Sequence, residues 1–466
     1  MRSADVALPV RMSRVAILAG HGRARSALVE LAREGCVELV GSLPPAEGEA
    51  AEALRRLAQT KTTPFEPALS SREPDVQALE RAKRPELLAG EVELDRRARL
   101  ALEHGSFAVW VGWAPDESIE PLNERLRQIG SVAVELPRPA WVEPPTLFRP
   151  AAVRSSFEPL VSSYGTARYR DIDPTLFTAV SFVVMFGMMF GDVGHGLVLA
   201  LLALWLRGRR RGRLAAFRHL WPIAFAAGLA GAAFGVLYGE AFGPTGLVPT
   251  VWLRPVEEPV QLLLVAVAVG AVLITFSYLL GIANRWRESG FANALFDQSG
   301  ISGFAIFVGL ALFAGGYYWN ALAAQIVGAV LAAGGVLLLG SGLALRAGRG
   351  AAALTQAGVE LLDALVRLAS NLISFSRLAA FGLMHAALGA VVFSAATALW
   401  GWPAGAILAV LVFVVGNVVA FALEGLVTGI QALRLEYYEL FSRVFAGEGH
   451  AFTPWKLPVL TTEEER

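Results

Sequence analysis

Apolar residues are distributed unevenly along the chain, and long apolar runs begin only after residue 174. A helix needs about 20 mostly apolar residues to cross the hydrocarbon layer of a bilayer. Eight runs meet or approach that length, so the sequence predicts an α-helical polytopic membrane protein with eight transmembrane helices. The predicted segments are 174–190, 193–206, 219–238, 259–283, 300–318, 321–345, 357–398 and 403–442.

The last two segments are longer than a perpendicular span requires. At about 1.5 Å per residue, a helix of roughly 42 residues extends for about 63 Å, twice the hydrocarbon thickness of about 30 Å. Segments 357–398 and 403–442 are therefore expected to tilt strongly, to protrude or to contain a break.

The residues before the apolar runs have a different pattern, in which short strands alternate with helical spacing. A strand–helix–strand order occurs in residues 14–40 and again in residues 107–136. This repetition predicts a ferredoxin-like α+β lobe. Between the two halves, residues 47–58 and 75–103 are rich in Ala, Leu, Glu and Arg, which favours an antiparallel helical hairpin.

These patterns divide the chain into four parts. Residues 137–150 contain five prolines, which prevent a continuous helix. We therefore expect a cytoplasmic lobe at 1–136, a proline-rich linker at 137–173, a membrane domain at 174–445 and a cytoplasmic tail at 446–466.

Composition agrees with a membrane protein and excludes two other features. Hydrophobic residues make up 55% of the chain and charged residues 17%, whereas soluble domains have about 45–50% and about 25%. Basic and acidic residues number 40 each, so the net charge indicates no nucleic-acid partner. Cys36 is the only cysteine, which excludes an internal disulfide bond.

The placement of positive charge predicts the orientation. Basic residues cluster after the second, fourth, sixth and eighth segments, whereas the opposite loops contain only Arg254. The clustered residues are Arg207, Arg209, Arg210, Arg211, Arg213, Arg218, Arg285, Arg287, Arg346, Arg349, Arg443 and Lys456. Lys and Arg are enriched in cytoplasmic loops, so both termini are predicted to be cytoplasmic.

Ionisable residues inside the last two segments are the strongest candidates for function, because such groups are costly in a membrane unless paired or hydrated. Arg377 lies near the middle of the seventh segment, and Glu424 and Arg434 lie in the eighth. Arginine stays charged in a low dielectric, so Arg377 is expected to lower the pKa of an approaching carboxylate and release its proton. Glu424 and His385 both exchange protons and are candidates to line a path.

Five motifs in order resemble a known family. They are FGMMFGDVGHG at 186–196, YGEAFG at 238–243, NRWR at 284–287, residues 376–386 around Arg377, and residues 424–445, which include Phe445. The chain resembles the V/A-type ATPase subunit that is called I in prokaryotes and a in eukaryotes. The resemblance covers residues 145–456 and, more weakly, an amino-terminal lobe that is shorter here than is usual in the family.

The resemblance implies the stator subunit of the membrane sector of a rotary ATPase, which transfers H⁺ or Na⁺ across a prokaryotic plasma membrane. A proteolipid c-ring would turn past the last two segments, where Arg377 and Arg434 would meet its carboxylates. By the same resemblance, Glu424 and His385 line an outer half-channel and Asp363 serves a cytoplasmic one. The other implied partners are peripheral-stalk subunits, the soluble V/A-type ATPase sector and membrane lipid.

Other motif residues are expected to be structural. Asp192, His195 and Glu240 are expected in outer loops, and although Asp192 and His195 have a spacing that a metal accepts, two ligands are weak support for a metal site. Residues 60–62 lack the glycine of a phosphate loop. We therefore expect no nucleotide site, cofactor or metal in this chain, and ATP hydrolysis in other subunits.

Two other functions remain open at this point. A self-contained secondary transporter with a cytoplasmic regulatory domain would show broken helices at corresponding positions of two inverted repeats. The long final pair of segments has no counterpart among the first six, which favours the stator. The third possibility is a scaffold derived from the same family that has lost its ring.

Overall fold

The computed structural model describes residues 8–58, 65–139, 141–149, 154–162, 164–209, 212–348, 350–400, 405–444 and 449–460. The chain divides into two compact units, one of Pro9–Arg149 with Gly449–Arg466 and one built mainly of Pro150–Glu448. Some residues used in the sequence predictions lie outside the described residues, namely Thr60, Lys61, Thr62, Arg210, Arg211, Arg349 and Phe445.

The smaller unit is an antiparallel sheet with helices packed on it. Its elements are β1 (Met12–Gly20), α1 (Ala24–Glu34), β2 (Glu38–Leu39), α2 (Glu49–Ala58), β3 (Leu69–Ser70), α3 (Val76–Arg81), α4 (Pro85–Ala98), β4 (Leu102–His104), β5 (Phe107–Pro115), α5 (Asp116–Gln128), β6 (Val132–Leu136) and β7 (Val459–Leu460). The strand order is β2–β5–β1–β6 with β4 also on β5, and these pairs are all antiparallel. The predicted α+β lobe is confirmed, with the strand order of a ferredoxin-like sheet.

The region between the two halves of the sheet differs from the predicted hairpin in its second arm. Helix α2 packs against α4 as expected. The predicted helix at 75–103 is divided into α3 and α4 by a turn at Lys83, whose φ of 55° is left-handed. Residues Leu102–His104 pair with β5 instead of continuing the helix.

The carboxy-terminal residues form part of the smaller unit. Strand β7 pairs in parallel with β3, so that Val459 aligns with Leu69. The side chain of Trp455 is buried in the same hydrophobic core as β1 and α1. The region expected as a separate tail therefore supplies a strand and a core residue to the lobe.

The larger unit is entirely helical among its described residues. Its helices are α6 (Arg154–Ser162), α7 (Thr175–Met189), α8 (Val193–Gly208), α9 (Trp221–Tyr238), α10 (Pro259–Ser289), α11 (Phe291–Phe296), α12 (Ile301–Tyr318), α13 (Leu322–Ala347), α14 (Ala351–Ser374), α15 (Ser376–Trp400), α16 (Gly405–Leu435) and α17 (Ser442–Val444). A π-helical stretch, Glu436–Phe441, joins α16 to α17.

Six helical stretches among the described residues are long and apolar enough to cross a membrane. They are Phe217–Tyr238, Pro259–Glu288, Phe291–Tyr318, Leu322–Ala347, Ala351–Trp400 and Gly405–Val444. The first two predicted segments correspond to α7 and α8, which have only 15 and 16 residues. An integral membrane protein is therefore confirmed, and the count of eight spans stays a prediction.

Both of the longest helical stretches are interrupted, which was one of the three solutions expected for their excess length. In Ala351–Trp400 the interruption lies at Phe375, whose side chain is fully buried. The ring packs so closely on Gly270 of α10 that a Cβ there would lie 2.3 Å from it. In Gly405–Val444 the regular helix gives way to the π-helical stretch, a feature that is frequent at functional sites.

Candidate functional site

Four ionisable side chains form two pairs between α15 and the final helical stretch. Arg377 pairs with Glu439, and His385 pairs with Glu424. Arg377 and His385 are separated by about 12 Å along the axis of α15, since each residue adds about 1.5 Å. The structure thus brings together three of the predicted residues and adds Glu439, which the sequence analysis does not identify.

The Arg377–Glu439 pair is placed by the interruption at Phe375. A guanidinium nitrogen of Arg377 lies 2.6 Å from Oε1 of Glu439, and Nε donates to the carbonyl of Ser374 at 3.0 Å. Ser374 is the last residue of α14, so its carbonyl no longer accepts a regular helical bond. The interruption therefore supplies an acceptor that orients Arg377 toward Glu439.

The π-helical stretch carries two buried carboxyl groups, Glu436 and Glu439. Glu439 is 4% exposed and faces Arg377, whereas Glu436 is fully buried and accepts a hydrogen bond from the hydroxyl of Ser181 at 2.7 Å. Acidic residues near a predicted helix end are usually read as solvated. The one sequence signal for their burial is that they fall within five residues of Arg434 in an otherwise apolar segment.

The second pair joins Nδ1 of His385 to Oε2 of Glu424, and both side chains are 5% exposed. The ring of Phe190 lies 5.3 Å from the His385 ring, and the ring of His195 lies 5.5 Å from it in a T-shaped arrangement. The partner that Glu424 lacks within its own helix is therefore a histidine on α15. Two groups that exchange protons lie here in contact and away from bulk solvent.

Asp192 holds together the two glycine-rich motifs. Its carboxylate accepts three backbone N–H bonds of 2.9 Å, from His195 at the start of α8 and from Phe242 and Gly243 in the loop after α9. Gly243 has a φ of +88°, and a Cβ there would lie 2.7 Å from the carbonyl oxygen of Gly389 on α15. The loop therefore needs glycine to approach α15 four residues beyond His385.

Glu240 lies between this loop and a cavity of about 270 Å³, whose lining also includes Arg254, Glu257, Ala386 and Ala390. The side chain is almost completely buried. Burial raises the pKa of Glu240 to about 7, and His385 opposes the rise. The sequence predicts only a structural loop residue here, because nothing in the local pattern shows that the loop folds back toward His385.

Arg434 lies on an exposed face of α16. A row of apolar side chains precedes it on the same face of the helix, at intervals of three or four residues. Each of them is more than two-fifths exposed, namely Val419, Leu423, Leu426 and Ile430. An apolar stripe of this kind marks contact with lipid or another protein. Arg434 also acts electrostatically on Glu439, which connects this face to the Arg377 pair.

Asp363 lies on α14 and is separated from the other predicted residues. It forms an exposed ion pair with Arg367 at 2.7 Å, one helical turn away. About 21 Å of helix axis separates it from Arg377. The structure therefore does not bring Asp363 into either buried pair.

Long apolar helices and charge pairs buried between them define the class of this protein. It is a polytopic integral membrane protein with ionisable groups inside its helical bundle. Such groups mark ion or substrate pathways in membrane proteins.

Comparison with known proteins shows which proteins the chain is similar to. The model of the V-type ATPase 116kDa subunit family matches residues 101–314. The A-type ATP synthase subunit I of Pyrococcus horikoshii is 29% identical over 373 residues, which cover 74% of this chain and 53% of that protein. The corresponding subunit of Archaeoglobus fulgidus is 28% identical over 413 residues, covering 74% of this chain and 58% of that protein.

A eukaryotic relative shows a shorter but closer match. The human V-type proton ATPase 116 kDa subunit a 3 is 34% identical over 154 residues, or 30% of this chain and 19% of that protein. The chain is thus similar in sequence to this V/A-type subunit I and subunit a family, the resemblance that its motifs predicted. It spans about half the length of the curated archaeal relatives it matches.

Proposed function

We propose that this chain is the ion-translocating stator subunit of the membrane sector of a rotary V/A-type ATPase. It forms two half-channels against a rotating proteolipid ring and transfers H⁺ or Na⁺. One observation carries this function. Two ion pairs lie at different heights between the same two helical stretches: Arg377–Glu439, whose arginine stays charged, and His385–Glu424, whose members can exchange protons.

In this proposal Arg377 meets the carboxylate of each passing ring subunit. A guanidinium stays charged in a low dielectric, so it lowers the pKa of the arriving carboxylate and expels its proton. Glu439 holds the guanidinium between these encounters. Arg434 and the exposed apolar stripe of α16 form the surface that faces the ring, which is supported by their exposure on the same helix.

The outer half-channel leads from the cavity beside Glu240 to the His385–Glu424 pair. The cavity lining includes Ala386, the neighbour of His385 in the chain. Three groups that exchange protons, Glu240, His385 and Glu424, interact electrostatically with one another. Glu240 thus extends the path that the sequence predicts by one residue.

The remaining features of the proposal rest on the family and on charge placement. The short apolar helices α7 and α8 are the first two of eight spans, and both termini are cytoplasmic. Asp363 serves the cytoplasmic half-channel from its exposed position on α14. The soluble ATPase sector and the peripheral stalk are the other partners, and they supply ATP hydrolysis or synthesis.

Co-purification distinguishes the stator from the secondary transporter. A tagged chain isolated in mild detergent is expected to bring with it a proteolipid ring and soluble ATPase subunits, identified by mass spectrometry. The chain alone in liposomes is expected to move no ion down an imposed gradient. Transport by the isolated chain, together with no recovery of ring subunits, would establish the transporter instead.

A further inference from the structure

Three side chains of metal-binding type converge beside the outer pair. One donor atom from each of Asp192, His195 and His385 lies within 4.8 Å of the other two, and all three side chains are buried. They come from two parts of the fold, because Asp192 and His195 begin α8 and His385 lies on α15. Two histidines and one carboxylate are a donor set that Zn²⁺ accepts.

The unusual member of this cluster is His195. It is 3% exposed, and neither ring nitrogen has a hydrogen-bond partner of regular geometry within the described part of the chain. The neighbouring amide of Asn417 interacts with the ring and also donates to the carbonyl of Phe413. Aromatic rings surround His195, with ring centroids 5.9 Å away at Phe190 and 5.4 Å away at Phe242. A buried polar group without a partner is costly, and a metal ion would satisfy one of these nitrogens.

The charge around the cluster also favours a cation. The charged groups acting on His385 are three carboxyls, those of Asp192, Glu240 and Glu424. A divalent cation held by Asp192 and two neutral imidazoles has a net charge of one, which Glu424 balances. Since uncompensated charge is expensive in a low dielectric, this balance stabilises an occupied site.

We propose that Asp192, His195 and His385 form a Zn²⁺ site, with water in the fourth position and Glu424 as the adjacent counter-charge. The donor atoms of a tetrahedral Zn²⁺ site lie about 3.4 Å apart, given bonds of about 2.0–2.1 Å, so small side-chain rotations close the site from the observed separations. Asp192 is already oriented for this role by three backbone N–H groups, and such support is typical of metal ligands.

This inference rests on the proposed function for its consequence, which is inhibition. A bound Zn²⁺ engages the imidazole of His385 and places two positive charges beside Glu424. We therefore expect Zn²⁺ supplied from the cavity side to stop ion flow through the outer half-channel.

The direct test measures metal binding by the purified full-length chain in detergent. Co²⁺ serves as the spectroscopic probe for Zn²⁺, because tetrahedral Co²⁺ gives strong visible ligand-field bands. The wild-type chain is expected to bind one tetrahedral Co²⁺ that Zn²⁺ displaces. His195→Phe is expected to weaken binding at least about tenfold, and His104→Gln, which changes an exposed histidine of the smaller unit, is expected to leave it unchanged.

A wild-type chain that gives no tetrahedral Co²⁺ spectrum overturns the proposal, as does equal binding by His195→Phe. A second readout needs no variant. Zn²⁺ bound only by the folded chain raises its thermal midpoint, and no rise in the wild-type midpoint at saturating Zn²⁺ also contradicts the site.

The inhibitory role is tested separately in the assembled ATPase. For each complex, the rate of ATP-driven pumping with Zn²⁺ is divided by the rate without Zn²⁺. This fraction is expected to be at least about tenfold lower for wild type than for His195→Phe, because the variant binds Zn²⁺ more weakly. Equal ratios remove the inhibitory role. Failure of the proposed function would instead appear as normal pumping by a complex carrying Arg377→Ala, which is independent of Co²⁺ binding.

Discussion

The two ion pairs between α15 and the final helical stretch join the same elements but differ in chemistry. Arg377–Glu439 contains a cation that cannot lose its proton in a protein, whereas His385–Glu424 joins an imidazole to a carboxyl group. The first pair is suited to hold a fixed charge in place, and the second to pass a proton on. A membrane path that must not leak needs both kinds.

The two pairs also have different surroundings, which match the difference in their chemistry. Arg377 lies next to the interruption at Phe375 and near the exposed face that carries Arg434. His385 lies next to the loop of Glu240 and its cavity. Arg377 is therefore close to the exposed face that a partner protein would contact. The His385–Glu424 pair is close to the cavity beside Glu240, which has room for water.

The largest expected effect is that of breaking the fixed pair. Glu439→Gln leaves the partly buried Arg377 without its counter-charge, and we expect the free energy of unfolding to fall by about 3 kcal/mol. The double variant Arg377→Gln/Glu439→Gln is expected to recover most of this loss. Unfolding of the purified chain by titration with SDS measures both values. A single variant as stable as wild type would show that the pair does not matter for the fold.

The next largest effect is expected when His385 is replaced by a residue whose positive charge is permanent. His385→Arg keeps a positive partner for Glu424 but cannot release a proton, so ion pumping is expected to fall about 100-fold. Pumping by the reconstituted complex is the measurement, and His104→Arg on the exposed β4 strand is the matched control. Pumping within a factor of two of wild type would show that His385 does not exchange protons.

A smaller effect concerns the pH dependence conferred by Glu240. Because burial raises its pKa from 4.5 to about 7 in the folded chain, the folded state binds more protons than the unfolded state between these values. Stability from this group is therefore fully present below about pH 4.5 and decreases by about 3 kcal/mol as the pH rises to 7. Glu240→Gln is expected to flatten that part of the profile of unfolding free energy against pH, and an unchanged slope would contradict the assignment.

The smallest effect is expected at Asp363. Its ion pair with Arg367 is exposed, and exposed pairs of this kind contribute little to stability. Asp363→Asn is expected to leave stability almost unchanged and to lower pumping about twofold, since a solvated carboxylate can be replaced by water. A loss as large as that of His385→Arg would place Asp363 among the essential groups.

The predicted residues that the structure brings into the two ion pairs are those whose energetic cost can be seen from the local sequence. Arg377, Glu424 and His385 stand out because any ionisable group in an apolar helix is expensive. Glu439 and Glu240 are missed because their burial depends on the π-helical stretch and on a loop that folds back to α15. An interruption is one of the three outcomes that segment length predicts, and its position at Phe375, which packs on Gly270, is not revealed by any local pattern.

The most direct test of the account is ATP-driven ion pumping by an assembled complex that carries Arg377→Ala. Arg367→Ala, an exposed arginine ten residues earlier in the same helical stretch, is the matched control. We predict that Arg377→Ala abolishes pumping while ring and soluble subunits still co-purify in normal amounts, and that Arg367→Ala pumps normally. Normal pumping by a correctly assembled Arg377→Ala complex would contradict the account.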